Sequence, residues 1–267
     1  MGKRWGQHFL RDAAVLERLL AAAQVVPGES VLEIGPGEGA LTGRLLAAGA
    51  RVTAVEIDPA LAAALRARWG GEEAFRLIAG DILHTALAPQ ALFGAETRYA
   101  IVANLPYYLS TPLLFRLLAA RGAFNRLLLM VQWEIARRLV ATPAQGKEYG
   151  ALSIAAGHAF ETALLFPVPP GAFRPPPKVE SAVVRLVPRA PLLAPAAELA
   201  FLEHVKWLFT GRRKLMATAL RRRYASCSAH ALDAAGALVG MRRAEALTPE
   251  EHLHVFRLLT EAPPPGP

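Results

Sequence analysis

Cysteine is almost missing from this chain. Cys227 is the single one in 267 residues, so neither an intrachain disulfide nor a cysteine-based zinc site can form. That scarcity suits a reducing cytoplasm, the expected location. Long apolar runs are missing as well. None approaches the roughly 18 residues needed to cross a bilayer, so no membrane partner is expected. The opening MGKRWGQHFLRD carries charge without an apolar stretch behind it, so no secretion signal is expected. No internal repeat is visible. Acids are the minority, 22 against 30 basic residues, for a net charge of +8. A balance this basic points to a polyanion, most often nucleic acid, with a merely basic surface as the bland alternative. Lysine is scarce, at Lys3, Lys147, Lys178, Lys206 and Lys214 only. A preference for arginine fits a GC-rich genome as well as RNA binding and decides nothing.

What is present is apolar and regularly punctuated. Hydrophobic residues make up 53% of the chain, ample for a core. Short apolar runs at 31–34, 52–57, 75–79, 99–103 and 127–132 are each bounded by Gly, Asp, Asn or Pro. Helix-like segments such as 40–48 and 59–68 lie between them. Strands alternating with helices predict an α/β fold with a parallel sheet, and uniformly apolar strands predict a sheet covered on both faces. The run 180–188 predicts a late strand, added antiparallel at the sheet edge. Residues 189–197, with two prolines and several alanines, read as a linker. Beyond it the pattern turns helical, at 201–209, 212–223 and on to about Leu259. The expected organisation is a catalytic α/β domain at 1–187 and a small helical domain at 188–267, with a disordered APPPGP tail.

The first chemical signal follows the first of those strands. Glu33-Ile34-Gly35-Pro36-Gly37-Glu38-Gly39 is a glycine-rich turn leading into a helix. Glycines there let the chain turn tightly and let a ligand come close to the backbone. A dinucleotide loop wants G-x-G-x-x-G and a phosphate at the helix start. Here the spacing is G-x-G-x-G, with Glu33 and Glu38 present. S-adenosylmethionine carries no phosphate, so a loop holding two acids favours that methyl donor over NAD.

Two more acids stand at successive strand ends. Glu56 closes the second strand, where a carboxylate can accept both ribose hydroxyls. Asp81 follows the third, where it can accept from an adenine amino group. Each alone could be a turn or cap acid, as Asp58 before Pro59 is expected to be.

After the fourth strand comes Asn104-Leu105-Pro106-Tyr107. An adenine amine is a poor nucleophile because its lone pair is delocalised into the ring. It needs acceptors that hold both N–H groups and favour a tetrahedral nitrogen. The Asn104 side-chain oxygen is one, and the carbonyl of Leu105 or Pro106 the second. Proline fixes that turn. Tyr107 offers a face for stacking, worth about 1–3 kcal/mol. The sulfonium charge is lost as the methyl moves, so no metal is expected and in-line positioning suffices.

In their order, Gly6–Leu10, Glu33–Gly39, Asn104–Tyr107 and Phe173–Ser181 (FRPPPKVES) resemble the motifs of ribosomal RNA adenine dimethyltransferases, and most closely the small-subunit (16S) N6-dimethyltransferase family. The resemblance runs from about Gly6 to Val187, and less clearly through the helical part. It implies a Rossmann-like class I methyltransferase sheet with a small C-terminal all-helical domain. It further implies N6,N6-dimethylation of two adjacent adenosines near the 3′ end of 16S rRNA in an immature small subunit. The donor is S-adenosyl-L-methionine, the product S-adenosylhomocysteine, and the enzyme a monomer. By the same resemblance, Gln7–Leu10 lies across the donor, with His8 and Leu10 touching it. Gly35 and Gly37 meet its methionine part, Glu56 the ribose, Asp81 the adenine, and Asn104 both donor and target. Phe173 stacks on the target base opposite Tyr107. One position departs from the family, which usually has Asn where this chain has His8. Imidazole titrates near neutral pH, so donor binding is expected to depend on pH.

Arg212, Arg213, Lys214, Arg221, Arg222 and Arg223 have no acid between them and form the expected phosphate-contacting patch. A solvated helix face is the alternative. Looped or single-stranded RNA suits the cleft, since the amine must arrive unstacked. Three other functions share parts of this pattern. They are a large-subunit rRNA adenine methyltransferase of the antibiotic-resistance type, a ribosome-assembly factor that chiefly binds, and an NAD oxidoreductase. The loop spacing disfavours the last.

Overall fold

The computed structural model describes residues 7–106, 109–211 and 214–260. Tyr107, Arg212 and Arg213 therefore lie outside the described residues. The chain divides into two compact units. One takes in the chain to Arg137 together with Phe160–Pro188, and the other Arg138–Ala159 and the chain from Arg189. The helical unit thus draws back a stretch that interrupts the sheet unit, which a single cut between 187 and 188 does not anticipate.

The strands are β1 (Phe9–Leu10), β2 (Ser30–Ile34), β3 (Arg51–Glu56), β4 (Phe75–Ala79), β5 (Tyr99–Asn104), β6 (Phe124–Gln132), β7 (Phe160–Val168), β8 (Phe173–Arg174) and β9 (Ser181–Pro188). β1 and β8 form a two-stranded antiparallel ribbon. The remaining strands form one seven-stranded sheet, in the order β4-β3-β2-β5-β6-β9-β7. β2 pairs in parallel with β3 and β5, and β3 with β4 and β5 with β6 likewise. Val31, Leu32, Ile34, Ile101 and Val102 are buried, as strands covered on both faces require. β9 is antiparallel as expected but does not lie at the edge. It sits between β6 and β7, and its SAVV start is buried on both faces. The edge belongs to β7, whose exposed Glu161 and Pro167 blurred its pattern in the sequence. A proline is tolerated there because an edge strand leaves one row of backbone groups unpaired.

In the sheet unit the helices are α1 (Ala13–Ala23), α2 (Ala40–Ala47), α3 (Pro59–Trp69), α4 (Pro89–Phe93) and α5 (Ser110–Ala119), and α6 (Trp133–Val140) leads out of it. Asp12 caps α1 by accepting from the Val15 amide at 3.0 Å. Asp58 caps α3 through the Ala60 amide at 2.8 Å, with Pro59 in the first turn, as the sequence predicts. In the helical unit lie α7 (Ala151–Ala159), α8 (Pro195–Thr210), α9 (Met216–Arg223), α10 (Ala229–Val239) and α11 (Pro249–Thr260). Two boundaries differ from expectation. α8 starts at Pro195, inside the expected linker, because proline suits a first helical turn. The helix expected at 212–223 begins only at Met216, and Lys214 stands in a turn ahead of it. No helix among the described residues is long and apolar enough to cross a membrane.

Candidate active site

Parallel register brings the chemistry to one edge of the sheet. Ile34, the last residue of β2, is level with Val55 and Ala103, so Gly35, Glu56 and Asn104 emerge side by side. The Gly35 amide continues the ladder to the Val55 carbonyl at 3.0 Å. Strand order reverses between β2 and β5, the crevice where open α/β sheets bind ligands. Gly35, Gly37 and Gly39 all have positive φ, between 58° and 80°. At Gly39 a Cβ would come within 2.3 Å of the Trp69 ring. The glycines of this loop are therefore conformational requirements.

A cavity opens on this edge, lined by Gln7–Leu10, the Glu33–Glu38 loop, Glu56, Asp81, Asn104–Pro106 and Phe173, among others. The structure thus gathers His8, Leu10, Gly35, Gly37, Glu56, Asp81, Asn104, Leu105, Pro106 and Phe173 at one place. Glu56 is 3% exposed and holds the loop: one carboxylate oxygen accepts the Gly37 amide at 3.1 Å, the other the Asp58 amide at 2.9 Å. Burial raises its pKa against the pull of those amides. Asp81 accepts the Leu83 amide at 2.8 Å, a turn role, and also lines the cavity. Phe173 is 1% exposed, so a base can stack on it only by entering the cavity.

The acids of the loop are individually accounted for. Glu33 accepts from the Thr42 hydroxyl at 2.6 Å, and burial, with the nearby Glu56, pushes its carboxyl up to about 8. Glu38 pairs with Arg11. Among the described residues that line the cavity there is no Lys or Arg. A phosphate-bearing ligand has no cationic partner in this lining, whereas a ligand with positive charge meets carboxylates. Among the described residues no group of three or more His, Cys, Asp or Glu is placed to hold a metal.

The N-terminal strap is the part the sequence conveyed least. β1 pairs Leu10 with Phe173 and Phe9 with Arg174. The backbone amides of Arg11 and Asp12 both donate to the Ala172 carbonyl. The Phe9 ring lies where a Cβ on Gly37 would be 3.0 Å from it. His8 Nδ1 is 2.7 Å from the Pro175 carbonyl. A carbonyl only accepts, so Nδ1 carries the proton of that bond. The His8 carbonyl in turn accepts the Asn104 side-chain N–H at 3.4 Å. Phe9 and Thr42 are neighbours of the site that sequence reasoning did not single out. Phe9 sits inside the FL pair of the motif, and Thr42 one helical turn beyond Gly39.

In the helical unit, Lys214 and Arg221–Arg223 are exposed. Arg221 stands 3.8 Å from Asp233, and the Arg223 guanidinium lies over the Trp207 ring at 4.7 Å. They do not share one continuous helix, since Lys214 precedes α9.

Comparison with known proteins agrees with this geometry. The ribosomal RNA small subunit methyltransferase A of Thermosynechococcus vestitus is 46% identical over 224 residues, 82% of each chain. That of Pseudomonas fluorescens is 40% identical over 265 residues, 99% of this chain and 96% of the relative. Among solved structures, the 23S rRNA methyltransferase ErmE is 32% identical, covering 95% of this chain and all of its own, with a TM-score of 0.69. A dimethyladenosine transferase from Plasmodium falciparum shares the fold, with a TM-score of 0.75 at 23% identity over 93% of this chain and 96% of that one. The family model for ribosomal RNA adenine dimethylases matches residues 1–261, and the chain belongs to that family.

Proposed function

We propose that this chain dimethylates N6 of two adjacent adenosines near the 3′ end of 16S rRNA, within an immature small subunit, acting in the cytoplasm as a monomer. The observation that carries the reading is Asn104. Its amide nitrogen is engaged by the His8 carbonyl, which turns the side-chain oxygen to the remaining direction, beside the cavity at the switch point. The family and fold imply S-adenosylmethionine as donor, which supplies an electrophilic methyl on a cationic sulfur. The lining fits it: Glu56 for the ribose, Asp81 for the adenine, the backbone of Gly35 and Gly37 for the methionine part, and His8 and Leu10 across the top.

Asn104 Oδ1 accepts one N–H of the target amine and the Leu105 carbonyl the other. The Pro106 carbonyl already accepts the Leu109 amide at 3.0 Å, which makes Leu105 the better second acceptor. Two acceptors draw the nitrogen toward tetrahedral geometry, so its lone pair points along the line of transfer. Tyr107 and Phe173 hold the base by stacking. The proton leaves after transfer, when the nitrogen is positively charged and far more acidic. No step calls on a metal. Residues 1–187 hold the donor and the base, and residues 188–267 hold RNA through Arg212, Arg213, Lys214, Arg221, Arg222 and Arg223. Relatives named for the small subunit, at 40–46% identity, favour that substrate over the large-subunit alternative.

The test is to incubate the protein with unmethylated small and large subunits and labelled donor, then map the modified bases. Dimethyladenosine confined to 16S rRNA is expected. Product in the large subunit, or a single methyl at completion, overturns the reading. In Asn104→Ala, donor binding persists and methylation falls about 10²–10³-fold, the usual cost of one lost transition-state hydrogen bond.

A further inference from the structure

The helical unit presents one large apolar side chain almost entirely to solvent. Met241 is 84% exposed, while its neighbours in the chain are firmly held. Gly240 ends α10 with φ 56° and ψ −134°, a conformation open to glycine and strained for other residues. Its amide donates to the Gly236 carbonyl at 2.9 Å, and the Arg242 amide to the Val239 carbonyl at 3.1 Å. The Arg242 guanidinium is spent inside the unit. It donates to the Leu238 carbonyl at 2.7 Å, the Val239 carbonyl at 3.3 Å and the Glu251 carboxylate at 2.7 Å. The Arg242 carbonyl accepts the Met216 amide at 3.0 Å, and Arg243 bridges antiparallel to Leu215. Leu215 is itself 40% exposed, and Lys214 precedes it. Arg243 and Lys214 are exposed and have no ionic partner among the described residues. The result is an exposed apolar side chain on a hydrogen-bonded turn, with Arg243 two residues along it and Lys214 on the segment bridged to Arg243.

We propose that the Gly240–Arg243 turn, with Lys214 and Leu215 beside it, is an RNA-contact site, with Met241 packing on an unstacked or loop base and Arg243 and Lys214 on flanking phosphates. The proposal rests on the substrate reading above. Nucleic acid is the occupant that this chemistry fits. An apolar wedge beside cations is how side chains insert at base steps, and neither cation is in an ion pair among the described residues. The backbone of the turn is already ordered in the free protein by the bonds of Gly240 and Arg242, so binding orders only the side chains. A protein groove would offer the Met241 side chain a home but would leave both cations against an apolar rim.

The experiment measures equilibrium binding of the full chain to protein-free 16S rRNA and to unmethylated small subunits, at several salt concentrations. Far-UV helix content and donor affinity serve as checks that each variant is intact. Met241→Ser weakens binding to both about five- to tenfold, and Met241→Leu restores it, since apolar packing rather than sulfur does the work. The Lys214→Ala, Arg243→Ala pair lowers the slope of log affinity against log salt by about 1.5, the release expected for two phosphate contacts. Wild-type affinity in Met241→Ser overturns the proposal. So does a loss seen with subunits but not with protein-free rRNA, which assigns the turn to a ribosomal protein. These outcomes differ from failure of the substrate reading, in which the wild type itself neither binds nor methylates 16S rRNA.

Discussion

Glu33 is a carboxyl in the lining of the cavity that folding keeps neutral, and this has a measurable consequence. It is 2% exposed, and burial pushes its pKa from 4.5 up to about 8, with Glu56 adding to the rise and the Thr42 hydroxyl opposing it. A carboxyl raised in the folded state binds a proton that the unfolded chain has already released. Its contribution is therefore complete below pH 4.5 and lost as pH climbs through about 8. A rise of this size corresponds to about 5 kcal/mol, of which about 3 kcal/mol falls between about pH 5.5 and 8.5. Glu33→Gln keeps the shape, keeps an oxygen for Thr42 and cannot ionise. Urea unfolding of wild type and variant at matched pH gives a difference curve in which titrating groups not coupled to Glu33 cancel. The variant gains on the wild type steadily toward alkaline pH, by about 1 kcal/mol for each unit in that window. A flat difference curve refutes the reasoning, because it means Glu33 is ionised in the fold or relaxes at no cost.

Glu56 gives a related test on binding. Its pKa is raised by burial, and its ionised form is the better acceptor for two ribose hydroxyls, so donor affinity rises with pH on the acid side and levels off once the proton is gone. Glu56→Gln weakens donor binding about tenfold or more and abolishes that rise, both read by calorimetric titration. Gly39→Ala forces a side chain into φ +80° with its Cβ 2.3 Å from the Trp69 ring, so thermal stability drops by about 1–3 kcal/mol or the protein fails to fold. The same change at Gly71, with nothing within 4 Å, is near neutral.

The fold's parallel half was legible because its strands are uniformly apolar and end at Gly, Asp or Asn. Glu56, Asp81 and Asn104 were readable as a group for the same reason: strand ends on one edge of a parallel sheet must be neighbours. β7 was not legible. Its outer side meets solvent, so Glu161 and Pro167 interrupt the pattern that buried strands keep. The interior place of β9 follows from β7 and was lost with it. The excursion Arg138–Ala159 carries no compositional mark, since helices that pack in either unit need the same apolar face. The strap was foreseen only as a motif. That Phe9 lies against Gly37, and that the His8 carbonyl sets Asn104, are long-range contacts with no local signature.

The arrangement of charge resolves a conflict within the chemistry. The chain carries a net charge of +8, yet the cavity presents the carboxylates of Glu56 and Asp81, beside a Glu33 kept neutral by burial and a Glu38 paired with Arg11, and no described Lys or Arg lines it. A donor that is cationic at sulfur gains from those acids, and gains less once the methyl has left and the charge with it. A polyanionic substrate is repelled by the same acids. The repulsion applies to phosphates, which carry charge, and not to the base, which is neutral. An adenine turned out of its strand can therefore enter where its backbone cannot. On the proposed function the backbone is held elsewhere, and exposed cations such as Lys214 and Arg222, with no ionic partner among the described residues, suit that task. On that reading the acidic lining itself favours an extruded base over its backbone, before any hydrogen bond to Asn104 is made. It follows that raising salt weakens RNA binding steeply and donor binding far less, because Glu56 is buried and screening acts chiefly on exposed charge.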